Sequence, residues 1–242
     1  MRLLLLGGTA EARALADRLH PGVDLISSLA GRVSDPALPV GPVRIGGFGG
    51  VAGLRKWLVD NEITAVVDAT HPFAATITEN ASQACRDLGV AHLVLHRPPW
   101  DVESVLTVGS DAEAAEIVAA KGYSRVFLTT GRSGVAPFAA SAAWFLIRVV
   151  TTPDPAGLPA QHEVLLSRGP YHYDGERGLL AQHRIDALVT KNSGGAMTRA
   201  KLDAAADLGI DVVMIRRPAL PVGVRVVGSV GAAADWVFGQ PG

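Results

Sequence analysis

The chain has 242 residues, of which 48% are hydrophobic and 19% are charged, and its formal net charge is -1. This composition excludes an intrinsically disordered chain and disfavours a basic nucleic-acid-binding protein. The single cysteine, Cys85, excludes an internal disulfide framework and a metal site built from cysteines alone. No segment approaches the roughly 20 apolar residues that span a bilayer, and the apolar run at the N terminus stops too soon for a signal peptide. We therefore expect a cytoplasmic protein without nucleic-acid, membrane or metal partners.

Short runs of Val, Ile and Leu alternate along the chain with Ala-rich amphipathic segments. This alternation predicts an α/β fold in which parallel sheets are flanked by helices. In the first half, the pattern predicts strands at 2–6, 23–27, 43–45, 65–68 and 92–95, and helices at 9–19, 51–61 and 73–88. In the second half, it predicts strands at 105–108, 125–129, 145–149, 163–167, 187–190, 212–215 and 224–227, and helices at 111–120, 174–183, 197–208 and 232–238.

The rhythm divides into two α/β units, with a proline-rich segment at 96–100 between them. We predict two domains, at 1–100 and 101–242. Two short segments resemble each other, because Val-Gly-Ser followed by an Ala-rich helix occurs at 108–118 and again at 227–237. These segments could close the two sheets in equivalent ways, and an exchange of terminal strands between the units would then follow. A chance likeness of two Ala-rich helices is the alternative.

A glycine turn follows the first predicted strand. Gly7, Gly8 and Thr9 lead into a helix whose first turn carries Glu11. Glycines let the backbone approach a pyrophosphate, and a helix N terminus supplies N–H donors and a positive dipole end. The turn departs from the G-x-G-x-x-G pattern, since Thr9 and Ala12 stand at its second and third glycines. It indicates a dinucleotide site on a Rossmann-like unit, with a plain strand–helix turn as the alternative.

The end of the second strand bears on the choice of cofactor. An NAD-binding fold places a carboxylate there to bind the ribose diol, whereas this chain has Ser28 and Arg32 and no acid. An arginine pairs well with a phosphate, and a carboxylate would repel one. The sequence therefore favours NADPH over NADH, although Arg32 also fits a solvated loop position.

Two further loops follow predicted strands of the first unit. Gly46 and Gly47 would allow close approach of the backbone near the adenine, and Phe48 would flank the ribose or the base; a flexible turn is the alternative. Asp68 and Thr70 follow the fourth strand, where open α/β sheets bind ligands. They are further candidates for cofactor contact, although Asp68 also suits a role in ordering its own loop.

His71 is the one candidate for chemistry. It precedes Pro72, which fits the first position of a helix that His71 would cap. A histidine with a near-neutral pKa suits a proton donor, so we interpret His71 as a proton donor or a positioning residue.

In the second half, loops that combine a cation with hydroxyls and glycines follow several strands. The segments 129–134 and 190–195 have this composition, and Arg168 and Arg216 also end strands. Backbone N–H groups, a helix dipole and a cation together suit anions, so these loops predict a basic substrate cleft. The candidate substrate-binding residues are Thr130, Arg132, Ser133, Arg168, Lys191, Asn192, Ser193 and Gly194.

Five blocks, at 6–13, 30–32, 68–74, 129–132 and 190–195, resemble the precorrin-6A reductases of cobalamin biosynthesis. The resemblance implies an oxidoreductase that acts on a CH–CH bond. It would use NADPH to reduce one ring double bond of precorrin-6A and give precorrin-6B. It also implies that 1–100 binds NADPH and that 101–242 faces the tetrapyrrole, whose carboxylates suit a basic cleft. Hand-over of the product to neighbouring pathway enzymes is a further expectation.

Two other functions stay open at this point. One is a different NADPH-dependent reductase of the extended short-chain type, which is disfavoured because none of Tyr123, Tyr171 and Tyr173 is followed by a lysine four residues on. The other is a non-enzymatic regulator that senses NADP, which the cationic loops of the second half argue against.

Overall fold

The computed structural model describes residues 1–31 and 37–240. The strands are β1 (Arg2–Leu6), β2 (Asp24–Leu29), β3 (Val43–Ile45), β4 (Ala65–Asp68), β5 (Ala91–Leu95), β6 (Leu106–Val108), β7 (Arg125–Leu128), β8 (Trp144–Val149), β9 (Gln161–Leu166), β10 (Ala187–Lys191), β11 (Asp211–Ile215) and β12 (Arg225–Val227). The helices are α1 (Ala10–Leu19), α2 (Gly50–Asp60), α3 (Ala75–Leu88), α4 (Asp111–Lys121), α5 (Tyr173–Gln182), α6 (Ala200–Asp207) and α7 (Val230–Phe238). None of the helices in the described ranges is long and apolar enough to cross a membrane.

The chain forms two compact units, one from Met1–Pro98 with Pro218–Gly242 and the other from Pro99–Arg217. The sheet of the first unit has the order β12-β5-β4-β1-β2-β3, and every neighbouring pair is parallel. Leu3 and Leu5 pack on one face of this sheet with α1 and α7, while Leu4 and Leu6 pack on the other with α2 and α3. Helices on both faces explain why β1 is apolar throughout rather than alternating.

The second unit repeats this design. Its sheet has the order β6-β11-β10-β7-β8-β9, again with parallel neighbours only. Phe127, Leu146 and Leu188 are fully buried between this sheet and the helices α5 and α6. The predicted α/β fold with two parallel sheets flanked by helices is confirmed.

The two edge strands β6 and β12 are exchanged between the sheets, as the similarity of the segments 108–118 and 227–237 allowed. β6 follows β5 in the chain but pairs with β11, and β12 follows β11 but pairs with β5. Ser110 and Ser229 cap the helices that follow them, with their hydroxyls accepting from backbone N–H groups at 3.1 and 3.2 Å. The predicted boundaries 1–100 and 101–242 therefore differ from the structure after Arg217, where β12 completes the first sheet.

Two local predictions also differ from the structure. His71 does not cap α3, because Ala74 N donates to His71 O at 2.7 Å and closes a turn before the helix begins at Ala75. Proline suits the second position of such a turn as well as the start of a helix, and Pro72 takes the turn position. In addition, β2 extends to Leu29, so Ser28 lies within the strand and is buried.

Candidate functional site

The sheet of the first unit brings the cofactor candidates to one edge. Its strands are all parallel, so the loops that follow β1, β3 and β4 and the end of β2 lie at the same carboxyl edge. The predicted cofactor residues at this edge are Gly7, Gly8, Thr9, Glu11, Ser28, Gly46, Gly47, Phe48, Asp68 and Thr70. Arg32, the remaining predicted cofactor residue, lies outside the described residues.

The turn between β1 and α1 is fixed by the Thr9 side chain. Its hydroxyl accepts from Ala12 N at 3.1 Å and donates to Ala69 O at 2.7 Å, which joins this turn to the loop after β4. Gly8 has a φ of +108°, and a Cβ placed on it would meet no atom of the residues that the structure describes within 4 Å. Thr9 therefore holds the turn, while the backbone at Gly8 is open to a ligand in front of the α1 N terminus.

Glu11 lies in the first turn of α1 and pairs with Arg97, which follows β5. The distance between the Glu11 carboxylate and Arg97 Nη1 is 2.7 Å, and both side chains are largely buried. The arginine offsets a negative charge that would otherwise weaken the attraction of the helix N terminus for an anion.

A cation that sequence reasoning missed lies beside Ser28. Arg44 stands opposite Ser28 in the β2–β3 register, and its Nη1 donates to Ser28 Oγ at 2.9 Å. The guanidinium also donates to the carbonyls of Gly46 and Gly47 and lies 3.8 Å from the centroid of the Phe48 ring. The Gly46–Phe48 loop thus wraps around an arginine.

The loop after β4 is ordered by its own carboxylate. Asp68 Oδ1 accepts from Thr70 N at 3.0 Å and from Thr70 Oγ1 at 2.7 Å, while Oδ2 is buried without a hydrogen-bond partner among the described residues. His71 is exposed beyond this loop, and its Nδ1 accepts from Phe73 N at 3.3 Å.

Burial, with the charge of Asp68 adding to it, raises the pKa of the Cys85 thiol to about 12, so Cys85 stays protonated at neutral pH.

The carboxyl edge of the second sheet carries the predicted substrate residues. Lys191 ends β10, and its Nζ donates to Thr130 O at 2.8 Å and lies 3.4 Å from a carboxylate oxygen of Asp111. Position 134 next to Asp111 has room only for glycine, since a Cβ there would lie 2.3 Å from Asp111 Oδ1. Arg132 and Arg168, which follow β7 and β9, are exposed at the same edge.

The loop after β10 is held by side chains on both of its flanks. The side-chain amide of Asn192 forms two hydrogen bonds with the Trp100 backbone, accepting from Trp100 N at 2.8 Å and donating to Trp100 O at 3.0 Å. Arg217 donates to Asn192 O at 2.7 Å and to Ser193 O at 3.0 Å. Asn192 and Arg217 therefore position the loop that carries Ser193 and Gly194.

Comparison with known proteins identifies the family. A family model described as "Precorrin-6x reductase CbiJ/CobK" matches residues 2–238. The chain belongs to this family of reductases. It is 68% identical to the precorrin-6A reductase of Mycobacterium tuberculosis, covering 99% of this chain and 98% of that protein, and 53% identical to that of Rhodococcus erythropolis, covering 98% and 97%. A solved structure titled "CobK precorrin-6A reductase" matches with a TM-score of 0.91 and 38% identity, covering 98% of this chain and 96% of that one.

This CbiJ/CobK family member also holds a buried charged cluster that sequence reasoning missed. Arg148, on β8, forms a two-point ion pair with Glu176, on α5, and Tyr171 lies 4.0 Å from the guanidinium. Lys201, in the first turn of α6, lies 5.0 Å from the centroid of the Trp100 ring. Burial, with the positive charge of Arg148 adding to it, lowers the pKa of Lys201 to about 7. A lysine in the first turn of an amphipathic helix is usually exposed to solvent, so the sequence contains no signal for the burial of Lys201.

Proposed function

We propose that the protein reduces one ring double bond of precorrin-6A to give precorrin-6B, with NADPH as the reductant. The observation that carries the proposal is the family match over residues 2–238. The relatives from Mycobacterium and Rhodococcus are both named precorrin-6A reductases, and this chain matches them over nearly their whole length.

The residues at the carboxyl edge of the first sheet fit a dinucleotide. The open face of Gly8 and the N terminus of α1 suit a pyrophosphate, because they offer close approach and the backbone N–H donors and positive dipole end of a helix N terminus. A Cβ on Gly46 or Gly47 would likewise meet no atom of the described residues within 4 Å, so these residues leave room for the adenosine end. Bound NADPH would supply the hydride, as the nicotinamide carries the redox chemistry.

The end of β2 supports NADPH rather than NADH. Ser28 and Arg44 occupy the region where an NAD-specific fold presents a carboxylate to the ribose diol. Arg32 follows in the sequence and remains a proposed phosphate contact. In this assignment Asp68 and Thr70 shape the loop toward the nicotinamide end, and His71 is the proposed proton donor or positioning residue.

The second unit is the proposed substrate side. Reduction adds a hydride to one ring atom and a proton to its neighbour, so the protein must hold the macrocycle in a fixed orientation. Precorrin-6A carries acetate and propionate groups, and charge-assisted hydrogen bonds from Arg132, Arg168 and Lys191 would hold them. Thr130, Ser133, Asn192, Ser193 and Gly194 complete the proposed anion-binding loops.

The test is loss of NADPH absorbance when the purified protein is mixed with enzymatically made precorrin-6A. We expect one NADPH to be consumed per ring and a product two hydrogens heavier. A strain that lacks the protein should accumulate precorrin-6A. Accumulation of a different intermediate would overturn the substrate, and binding of NADPH without its oxidation by any precorrin would favour the regulatory alternative.

A further inference from the structure

The short strand β3 contributes a side chain to the cofactor edge that no motif points to. Arg44 is the middle residue of β3 and pairs in register with Ser28 of β2. Paired residues of neighbouring strands lie on the same face of a sheet, so the Arg44 side chain extends along Ser28 toward the carboxyl edge. Ser28 is 5% exposed, which leaves its hydroxyl to orient the guanidinium rather than to meet a ligand directly.

The guanidinium of Arg44 is held in place before any ligand binds. Its three hydrogen bonds, to Ser28 Oγ, Gly46 O and Gly47 O, use two N–H groups of Nη1 and one of Nη2. Phe48 supports one face of the guanidinium, and Trp57 packs edge-on against Phe48 at 5.5 Å. A guanidinium has five N–H groups, so the Nε–H and one Nη2–H are left. No described residue accepts from them, and two donors of one guanidinium suit the oxygens of a phosphate.

Within the part of the chain that the structure describes, no carboxylate balances the charge of Arg44. Among the described residues, none of the ion pairs within 4.0 Å involves Arg44, whereas Arg97 pairs with Glu11 and Arg55 with Asp87. Burial lowers the pKa of Arg44 below its ordinary value, so the site carries a partly desolvated cation. An anion bound there would offset the cost of that desolvation.

We propose that Arg44 binds the 2′-phosphate of NADPH and makes the protein select NADPH over NADH. The inference rests on the proposed function, because it requires a dinucleotide along the carboxyl edge of the first sheet. In that binding mode the adenine ribose lies near the end of β2, where a nearby arginine accommodates a 2′-phosphate. Arg44 approaches this position from β3, with Ser28 and Phe48 fixing the direction of its free donors.

A 2′-phosphate contact by Arg44 and one by Arg32 predict different results, and a binding experiment distinguishes them. The affinities of NADPH, NADH, adenosine 2′,5′-bisphosphate and AMP are measured by calorimetry for the wild type and for Arg44→Gln, Arg44→Lys, Arg32→Gln and Arg55→Gln. Arg55 is the matched control, since it is a surface arginine of α2 already paired with Asp87. Circular dichroism and thermal unfolding check that each variant is folded.

For Arg44→Gln we expect NADPH and the 2′,5′-bisphosphate to bind roughly ten- to a hundredfold more weakly, which is the effect of losing a charge-assisted phosphate contact. NADH and AMP should bind as they do to the wild type. Arg44→Lys should keep part of the preference, because it retains the charge but loses the paired donors. Arg55→Gln should change none of the four affinities.

Three results would overturn the inference. Equal weakening of phosphorylated and unphosphorylated ligands by Arg44→Gln would show that Arg44 only supports the loop. Loss of the preference in Arg32→Gln, with Arg44→Gln and Arg44→Lys unaffected, would move the contact to Arg32. If the wild type binds NADH as tightly as NADPH, the proposed choice of NADPH as cofactor is wrong, and so is the inference about Arg44.

Discussion

Arg148 and Glu176 form a two-point ion pair in the interior of the second unit. Arg148 Nη1 lies 2.9 Å from Glu176 Oε2, and Nη2 lies 2.7 Å from Oε1. Both side chains are less than one-tenth exposed, and Lys201 is buried beside them. One buried carboxylate thus lies beside a buried arginine and a buried lysine, and this arrangement determines how the cluster responds to substitution.

Glu176→Gln should destabilise the protein strongly. It leaves Arg148 buried without the carboxylate it pairs with, and removing one partner of a buried pair costs about 3–5 kcal/mol. The measurement is the free energy of unfolding from urea titrations followed by circular dichroism. Glu163→Gln is the control, because the Glu163 side chain is 55% exposed. A loss no larger than that of the control would mean that the pair contributes little.

The pH dependence of the free energy of unfolding should reveal the lowered pKa of Lys201. Its pKa is about 7 in the folded protein and about 10.5 in the unfolded chain. Between these values the unfolded chain binds more protons, so stability should rise with pH, by at most about 1.4 kcal/mol per unit from this group. In Lys201→Met this contribution disappears, and the difference between the two proteins at pH 7, 8 and 9 isolates it. Parallel stability curves would place the Lys201 pKa near its ordinary value.

Thr9→Ala should weaken both stability and cofactor binding. It removes the cap of α1 and the bond to Ala69 O, and loss of a cap alone costs about 0.5–2 kcal/mol. Thr9→Ser retains the hydroxyl and should behave as the wild type. Ser229→Ala removes the cap of α7 instead, so it should lower stability without changing NADPH affinity. If Thr9→Ala also leaves NADPH affinity unchanged, this turn is not part of the cofactor site.

His71→Ala should raise KM while single-turnover hydride transfer stays within a few-fold of the wild-type rate, with the same pH profile. His71 Nδ1 accepts from Phe73 N, so the ring supports the turn. His71→Asn offers an acceptor at a similar position and should restore KM. A proton donor would behave differently, with a rate loss of about a hundredfold or more and an altered pH profile.

Lys191→Met should raise KM for the tetrapyrrole roughly tenfold or more with little change in kcat. A residue that binds a substrate carboxylate equally in the ground and transition states has this effect. Steady-state kinetics with precorrin-6A make the measurement, and Lys121→Met, at the last turn of α4, is the control. Loss of kcat at constant KM would mean that Lys191 takes part in the chemistry.

The central strands of both sheets could be predicted from the sequence because most of their residues are apolar and buried. β1 and β4 are buried along almost their whole length, and such runs stand out from the amphipathic helices. The sheet to which β12 belongs could not be predicted. A three-residue strand followed by an Ala-rich helix fits the edge of either sheet, and only its pairing with β5 decides.

The candidate site could be predicted where function depends on residues next to each other in the chain. The Gly7–Thr9 turn and the loops after β7 and β10 are of this kind. Arg44 was missed because its importance depends on its register with Ser28, sixteen residues earlier. Lys201 was missed for a similar reason, since Arg148 and Glu176 come from other elements and a sequence pattern does not show that they meet.

The exchange of β6 and β12 also affects the order in which the units can be completed during translation. The second unit is one continuous segment, Pro99–Arg217, whereas the first needs β12 and α7, which are synthesised only after the whole of the second. Until then β5 pairs only with β4, and α1 lacks Ala233 and Ala234, which pack in the same core. A nascent chain that has reached residue 217 therefore contains every strand of one sheet and an unpaired edge on the other, which is a surface open to pairing with foreign strands.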